Sequence, residues 1–242
     1  YALACAPARL GAGRRALELP GPVTYSFLPH TPYAERLARR AHGRDKEVML
    51  HLPMQAVAGN RLGPGGVTLH MTRGELLHTL RADLAAVPHV SGVNNHMGSL
   101  LTRHPGHMGW LMTELRARSG LYFVDSRTTT KTVAEQVAAE HRVPHAARDI
   151  FLDHFRTESF VRGQFAKLVR RARATGTAIG IGHPYAVTVE TLRGLLRGLA
   201  RQGVRLVPVS EVVRLRQQRR QKLWQAQASW SPSPKAARNS KP

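Results

Sequence analysis

The sequence predicts an α/β fold built on a parallel sheet, and three observations support this prediction. Apolar runs of strand length recur along the chain, and segments of helical period separate them. Strands that alternate with helices are typical of βαβ units. Polar side chains follow nearly every run, whereas the turns leading into the runs are plainer. Right-handed crossovers would close such a sheet into a barrel or wind it as an open sheet, and either binds ligands at its strands' carboxyl ends.

The predicted elements follow one another in chain order. Thr72 and Glu75 form a capping box at the start of the second helix. The predicted strands are Val23–Leu28, Glu47–Leu52, Val90–Asn94, Leu121–Asp125, Ala147–Leu152, Ala178–Gly182 and Val204–Val209. The predicted helices are Pro32–Ala41, Thr72–Val87, Met108–Arg118, Thr132–His141, Glu158–Ala174 and Val187–Gln202.

The composition excludes several classes of protein. The formal net charge is +21, and the basic segment 216–242 contains no acidic residue. Such a charge attracts anionic partners, but arginine far outnumbers lysine, as a GC-rich coding sequence would give, and no nucleic-acid-binding motif is present. Cys5 is the one cysteine, so a disulfide framework and a CxxC zinc site are excluded. The sequence contains no apolar run of the ~18 residues that a membrane span requires.

Three histidines mark the ends of separate predicted strands: His51, His96 and His183. Each one alone is more simply a hydrogen-bonded histidine of the core or rim. Three at one rim favour a divalent metal site, since about three protein ligands and a water make a catalytic zinc centre. Asp125 ends an apolar strand, where it is either a helix cap or an acid of the site. Arg148 beside Asp149 predicts an ion pair.

Several motifs, in matching order, resemble the divergent polysaccharide deacetylases of bacteria. The resemblance extends from about Arg14 to Val213. The motifs are RRALELPGPVTYSFLP, EVMLHLPM, VNNHMGSLLT, LYFVDSRTT, RDIFLD, IGIGHPY and VRLVPVSEVV. The resemblance implies a variant (β/α) barrel with about seven parallel strands. It also implies hydrolysis of acetyl groups on a cell-envelope glycan, in the periplasm or envelope of a Gram-negative bacterium.

The resemblance also implies roles for individual residues. In the wider group of polysaccharide deacetylases, two histidines and an aspartate hold a divalent metal, a second aspartate is the base and a late histidine is the acid. Carried over, His51 and His96 are metal ligands, with zinc the most suitable metal, and His183 is the acid. Asp125 is the remaining catalytic candidate. The residues expected to bind substrate are Asn95, Ser99, Arg127 and Tyr185.

The chain departs from this family pattern near its start. Counting back from Arg14, the Asp-Asp-Leu-Gly motif would fall at about residues 4–7, which read Ala-Cys-Ala-Pro, and no carboxylate precedes Glu18. The expected metal-binding aspartate and the expected base are therefore both replaced, and the first strand is expected to be altered. Two alternatives follow: a metal-dependent deacetylase, impaired or intact, or a non-catalytic glycan-binding or scaffold protein on the same barrel.

The expected organisation has three parts. Residues 1–13 are an irregular remnant, residues 14–215 form the deacetylase-like barrel, and residues 216–242 are a basic, disordered tail whose first part could extend the last helix. The expected partner is an acetylated glycan. Anionic surfaces could bind the tail, where Trp224 and Trp230 lie among basic residues. No specific nucleic acid is expected, and the sequence leaves the oligomeric state open.

Overall fold

A computed structural model of the chain describes residues 2–5, 10–59 and 61–229. Eight strands form one sheet in the order β6-β5-β4-β3-β2-β1-β8-β7, and every pairing is parallel. The strands are β1 Ala2–Cys5, β2 Thr24–Phe27, β3 Val48–Met54, β4 Val90–Met97, β5 Tyr122–Asp125, β6 His145–Ala147, β7 Ile150–Phe151 and β8 Gly180–Gly182.

Helices connect these strands, as the alternating pattern predicted. Thr72 caps α3 in a complete capping box with Glu75, which confirms that prediction. The helices are α1 Leu10–Ala16, α2 Ala34–His42, α3 Arg73–Ala86, α4 Pro105–Ala117, α5 Ala134–Glu140, α6 Glu158–Thr175, α7 Ala186–Arg197 and α8 Val209–Ser229, with 3-10 turns at Leu101–Arg103 and Ala200–Gln202.

The two edges of the sheet, β6 and β7, are consecutive in the chain. Only Arg148 and Asp149 separate them. The amide of Arg148 donates to the Asp125 carbonyl at 2.9 Å, and the amide of Asp149 donates to the Ile179 carbonyl at 2.9 Å. This segment therefore links β5 to the strand region before β8, although no ladder joins β6 to β7 directly. The arrangement confirms an α/β fold with a parallel sheet of the (β/α)-barrel type. It has eight strands, where about seven were expected, and no ladder among the described residues closes the sheet.

Two hydrophobic clusters lie on opposite faces of the sheet. The larger one packs the helices against the outward-facing side chains of the strands, including Leu50, Leu52 and Phe123. The smaller one contains Met49 and Val124 together with Val209, Val212 and Val213 from the start of α8. Because successive side chains of a strand alternate between faces, the smaller cluster fills the barrel interior. The first turns of α8 therefore pack into the end of the barrel where the strands begin.

The strand predicted at Val204–Val209 is wrong. Residues 204–208 are not part of any strand in the described part of the chain, and Val209 already belongs to α8. Pro208 explains the change, because proline has no amide proton for a ladder. Its carbonyl instead accepts from the amides of Glu211 and Val212 at the start of the helix. An apolar run that packs into a barrel end resembles a strand in composition alone.

The prediction of an irregular segment 1–13 is wrong for two parts of it. Residues 2–5 form β1, which pairs with β2 on one side and β8 on the other, and α1 begins at Leu10. The short apolar run Ala-Leu-Ala-Cys suits a central strand. Residues 6–9 lie outside the described residues. The division of the chain into domains stays a prediction.

The basic segment is helical rather than disordered as far as Ser229, because α8 continues to that residue. Residues 230–242, with Trp230, lie outside the described residues. Arg219 donates to the Thr175 carbonyl, and Arg220 donates to the His145 carbonyl at 3.1 Å. These basic side chains therefore attach α8 to the barrel. No helix of the described residues has the length and apolarity needed to cross a membrane.

The predicted ion pair between Arg148 and Asp149 is also wrong. Asp149 pairs instead with Arg216 of α8, and with Arg171 of α6 at 3.5 Å. Neighbours in an extended segment point in opposite directions, so Arg148 lies on the other side. There its guanidinium donates to the carbonyls of Ser126 and Arg127.

Asp83 of α3 is a buried carboxyl group outside the barrel interior. Its Oδ1 lies 2.9 Å from Nε2 of His30, whereas its Oδ2 has no hydrogen-bond partner among the described residues. Burial raises the pKa of Asp83 from 3.8 to about 7. Because the carboxyl group ionises less readily in the folded chain than in the unfolded chain, it lowers the free energy of unfolding as the pH rises. Its stabilising contribution is fully present below pH ~4 and is lost as the pH rises through 7.

We expect Asp83→Asn to remove much of the stability loss between pH 6 and pH 8.5, a difference of about 1–3 kcal/mol. Asparagine keeps the shape of the side chain but does not ionise. Urea unfolding at the two pH values measures the effect, with the exposed Asp45→Asn as the matched control. An unchanged pH dependence in Asp83→Asn would contradict the prediction.

Candidate active site

A cleft of about 380 Å³ opens where β3, β4, β5, β7 and β8 end. The structure brings the three predicted histidines together there, although they come from positions as much as 132 residues apart in the chain. The cleft is lined by His51, Asn95, His96, Met97, Ser126, Arg127, Thr128, Arg148, Phe151, Ile181 and His183.

A buried hydrogen-bond network fixes the orientation of His51. Nδ1 of His51 lies 3.1 Å from Oδ1 of Asn94, the residue paired with it in β4. The same Oδ1 accepts from the Ser26 hydroxyl at 2.7 Å, and Nδ2 of Asn94 donates to the Ser126 hydroxyl at 3.1 Å. Because Oδ1 can only accept, Nδ1 of His51 carries the proton and Nε2 presents a lone pair.

His96 faces this lone pair. Its Nδ1 lies 3.1 Å from Nε2 of His51, and the two rings meet at an interplanar angle of 64°. Two imidazoles on one tetrahedral zinc, each at about 2.0–2.1 Å, hold their nitrogens roughly 3.3–3.4 Å apart. The observed distance therefore suits two ligands of one metal ion. It equally suits a hydrogen bond between Nδ1 of His96 and Nε2 of His51.

The protonation states agree with this role. Burial, followed by the neighbouring His96, holds the pKa of His51 well below its usual value. Burial, followed by His183, lowers the pKa of His96. Both rings are therefore neutral at neutral pH, which is the form that binds metals.

The fit to a metal ion is partial. His51 and His96 can supply two ligands, and Asn94 supplies the outer hydrogen bond that commonly orients a ligating histidine. No group of three or more His, Cys, Asp or Glu side chains that could hold a metal is found among the described residues. A third donor would therefore have to come from elsewhere, and a catalytic zinc usually has three protein ligands.

His183 is oriented by Asp153, which the site predicted from the sequence does not include. Nδ1 of His183 lies 3.0 Å from Oδ1 of Asp153, whose side chain is fully buried. Oδ2 of Asp153 accepts from the His183 amide at 2.5 Å and from the Thr188 hydroxyl at 3.0 Å. The carboxylate thus places the proton on Nδ1, which leaves Nε2 for chemistry in the cleft.

Asp125 does not line the cleft. Its Oδ1 accepts from the Arg127 amide at 2.7 Å, and its Oδ2 accepts from the Thr132 hydroxyl at 2.8 Å. Burial raises the pKa of Asp125. Both oxygens thus order the turn that follows β5, and this arrangement favours the capping alternative over a catalytic role.

The four residues expected to bind substrate have different surroundings. Asn95 and Arg127 line the cleft, but Oδ1 of Asn95 accepts from the Ser126 amide and its Nδ2 donates to the Met97 carbonyl. The Ser99 hydroxyl accepts from the Val57 amide at 3.1 Å. Tyr185 lies outside the cleft lining, with its ring 5.4 Å from that of His183.

Sequence reasoning missed Arg148 and Phe151, which line the cleft, and Asn94, which bonds His51 behind it. Asn94 was read only as the end of β4, yet a buried amide next to a histidine strand is itself a signal, since buried polar groups need partners. The turn after β4 contains the glycine of the VNNHMGSLLT motif. Met97 and Gly98 both adopt positive φ, 53° and 91°, so Gly98 serves the turn's geometry.

The fold and the cleft together define a (β/α)-barrel protein with a histidine-lined site at the carboxyl ends of its strands. A family model described as "divergent polysaccharide deacetylase" matches residues 8–213. The chain belongs to this family, which confirms the resemblance.

Two curated proteins are similar in sequence to this chain. An uncharacterized protein of Haemophilus influenzae (strain KW20 / Rd) is 35% identical over 181 residues, 75% of this chain and 64% of that protein. The uncharacterized protein YibQ of Escherichia coli (strain K12) is 34% identical over 185 residues, 76% of this chain and 58% of that protein. The chain thus spans less than two thirds of the length of these relatives.

The fold has a counterpart among solved structures. The crystal structure of the uncharacterized protein ATU2773 from Agrobacterium tumefaciens C58 matches with a TM-score of 0.84. The match covers 87% of each chain at 21% identity. At this identity the similarity concerns the fold alone.

Proposed function

We propose that this protein hydrolyses acetyl groups on a cell-envelope glycan, in the periplasm or envelope of a Gram-negative bacterium. One observation carries the proposal: the His51–His96 pair and the Asp153-oriented His183 face one cleft. A pair of neutral imidazoles suits metal binding, and an oriented imidazole suits proton transfer. A metal held by the pair would assist attack on a carbonyl carbon, and the oriented imidazole would assist departure of a poor leaving group.

Each residue of the site has a role in this proposal. His51 and His96 would hold a divalent metal, with zinc the most suitable. When bound there, the metal would polarise the acetyl carbonyl and lower the pKa of water. His183 donates a proton from Nε2 to the departing amine or alkoxide of the sugar. Asp153 keeps His183 in the tautomer whose Nδ1 carries the other proton.

Equilibrium zinc binding tests the metal part of this proposal. We expect the full chain to bind about one zinc ion and His51→Ala to bind none at the same free concentration. His78→Ala, which changes an exposed histidine of α3, should bind as the wild type does. Equal zinc binding by the wild type and His51→Ala would contradict the assignment.

The hydrogen bond from His51 to Asn94 leads to a finer expectation. Asn94→Ala should weaken zinc binding by about 10- to 100-fold, as loss of an outer hydrogen bond commonly does. Ser91→Ala, at a half-buried hydroxyl of the same strand that bonds the Val48 carbonyl, is the matched control. Competition with a chromophoric chelator measures both affinities, and an unaltered affinity in Asn94→Ala would refute this role.

A second candidate is glycan binding without hydrolysis. It is favoured by the residues at the end of β1, where the family pattern has two aspartates and this chain has Ala4 and Cys5. Ala4 is in register with Ser26 of β2, and Leu3 pairs with Gly182, the residue before His183. The end of β1 therefore lies between strands that contribute to the site. Glycan binding with no acetate release, unaffected by His51→Ala, would support this candidate.

A further inference from the structure

A row of aromatic rings leads from the cleft to the protein surface. We call this set of residues the aromatic row: Phe151, His154, Phe155 and Phe160. It starts beside His183, whose ring centroid lies 5.5 Å from that of Phe151. The successive centroid distances along the row are 6.5, 4.7 and 5.1 Å. Neighbouring rings meet at 60–90°, so the row is a continuous series of edge-to-face and tilted contacts from the cleft to the surface.

The outer part of the row is exposed. Phe155 is 60% exposed, one of four large hydrophobic side chains exposed to this degree among the described residues, and His154 is exposed beside it. An exposed phenylalanine leaves apolar area in water that burial would favour by ~25 cal/mol per Å². A surface of this kind next to a cleft marks a binding site more often than an isolated side chain does.

The backbone on both sides of Phe155 is fixed. Asp153 is buried and bonded to His183 and Thr188. The Thr157 hydroxyl caps α6 by accepting from the Phe160 amide at 3.3 Å. Because both flanks are held, the exposed position of Phe155 is a property of the fold rather than of a loose loop.

We infer that the aromatic row is a binding track for an extended glycan whose acetylated unit occupies the cleft. The apolar face of a sugar ring stacks on an aromatic ring, and Phe155 exposes such a ring at the outer part of the row. Its neighbours His154 and Phe160 meet it edge to face, at 78° and 88°, and hold it in place. Polar groups for the sugar hydroxyls lie beside the rings. Ser159, Gln164 and Lys167 line the hollow next to Phe155 and Phe160.

A glycan fits this surface better than a protein partner does. The residues that flank Phe155 are polar and exposed, including Arg156, Thr157 and Glu158, so the apolar strip is one ring wide. Arg156 lies over the Tyr185 ring at 4.0 Å and donates to its hydroxyl, which holds this cation beside the track. The row is also continuous with the cleft. The inference deepens the proposed function and rests on it for the substrate class.

Calorimetric titration of the full chain with N-acetylated chitooligosaccharides of two and six sugar units tests this inference. We expect the six-unit chain to bind more tightly than the two-unit chain. Phe155→Ala should weaken binding of the six-unit chain by about 3- to 10-fold, the range for the loss of one aromatic contact, and leave the two-unit chain unaffected. Phe155→Tyr should retain the affinity, and Trp224→Ala, at an exposed ring on α8, should not change it.

Three results would overturn the inference: no binding of either oligosaccharide, binding of the six-unit chain that Phe155→Ala does not change, or a Phe155→Ala variant that instead separates copies of the chain in sedimentation. Acetate release is measured separately to distinguish the two proposals. Binding that depends on Phe155 without acetate release would support the glycan-binding role of the aromatic row and contradict the proposed hydrolysis. Acetate release at equal rates from both oligosaccharides by wild type and Phe155→Ala contradicts the track and leaves hydrolysis in place.

Discussion

Introducing aspartate at both Ala4 and Cys5 is expected to raise the rate of acetate release by about 10²–10⁴-fold, the contribution of a general base, with a further gain from a third metal ligand. These two positions end β1, and the family pattern has its aspartates at this place. The register puts Ala4 level with Ser26, whose hydroxyl bonds the same Asn94 oxygen that holds His51. We therefore expect aspartates at these two positions to restore the carboxylates that the family pattern has there.

The measurement is acetate released from an N-acetylated chitooligosaccharide in the presence of zinc. The matched control is the pair Gly11→Asp with Ala12→Asp, which adds the same charge at the start of α1, away from the strand end. The control should behave as the wild type does. Equal rates for the wild type, the control and the Ala4→Asp, Cys5→Asp variant would mean that the cleft lacks more than two carboxylates.

Replacing Asp153 with asparagine is expected to lower acetate release by roughly 10²–10⁴-fold, because it removes the carboxylate that holds the His183 tautomer. Asparagine has nearly the same shape but only one acceptor oxygen, whereas Asp153 accepts from three donors. One of these buried donors therefore loses its partner, at a cost to folding of about 1–3 kcal/mol.

If Asp153 only stabilised the fold, Asp153→Asn would lower the free energy of unfolding but leave the pH dependence of acetate release unchanged. The rate should be followed against pH in the wild type and in the Ala4→Asp, Cys5→Asp background, with urea unfolding recorded for each variant. Thr188→Val removes one donor to the same carboxylate and leaves the His183 contact intact, so it serves as the control. A variant Asp153→Asn that is folded and has an unchanged rate and pH profile would show that His183 needs no carboxylate.

Much of the fold could be predicted from the sequence, because the strongest signals are local. β3 is buried along its whole length, and a continuous apolar run is what a strand between two others requires. The capping box at Thr72 fixed the start of α3 within one residue. The same local signals gave a wrong prediction at Val204–Val209, where an apolar run leads into α8 and is not a strand. Periodicity alone does not distinguish these cases.

The site was predictable only in part, since its contacts join residues far apart in the chain. The three histidines could be found because each lies at or near the end of a predicted strand. Asp153 lies 30 residues from His183, and only the pairing of β7 with β8 brings the two together. Asp125, by contrast, had the expected position, but its oxygens satisfy the turn that follows it. Strand order and side-chain direction decide these outcomes, and a linear pattern does not contain them.

The most direct test is acetate release from an N-acetylated chitooligosaccharide by the full chain supplied with zinc. The proteins compared are the Ala4→Asp, Cys5→Asp variant and the same variant with either His51→Ala or His78→Ala added. We expect acetate release that His51→Ala abolishes and His78→Ala leaves unchanged. Release that persists at the same rate in His51→Ala, or no release from any of the proteins, would contradict the assignment of this cleft as a deacetylase site.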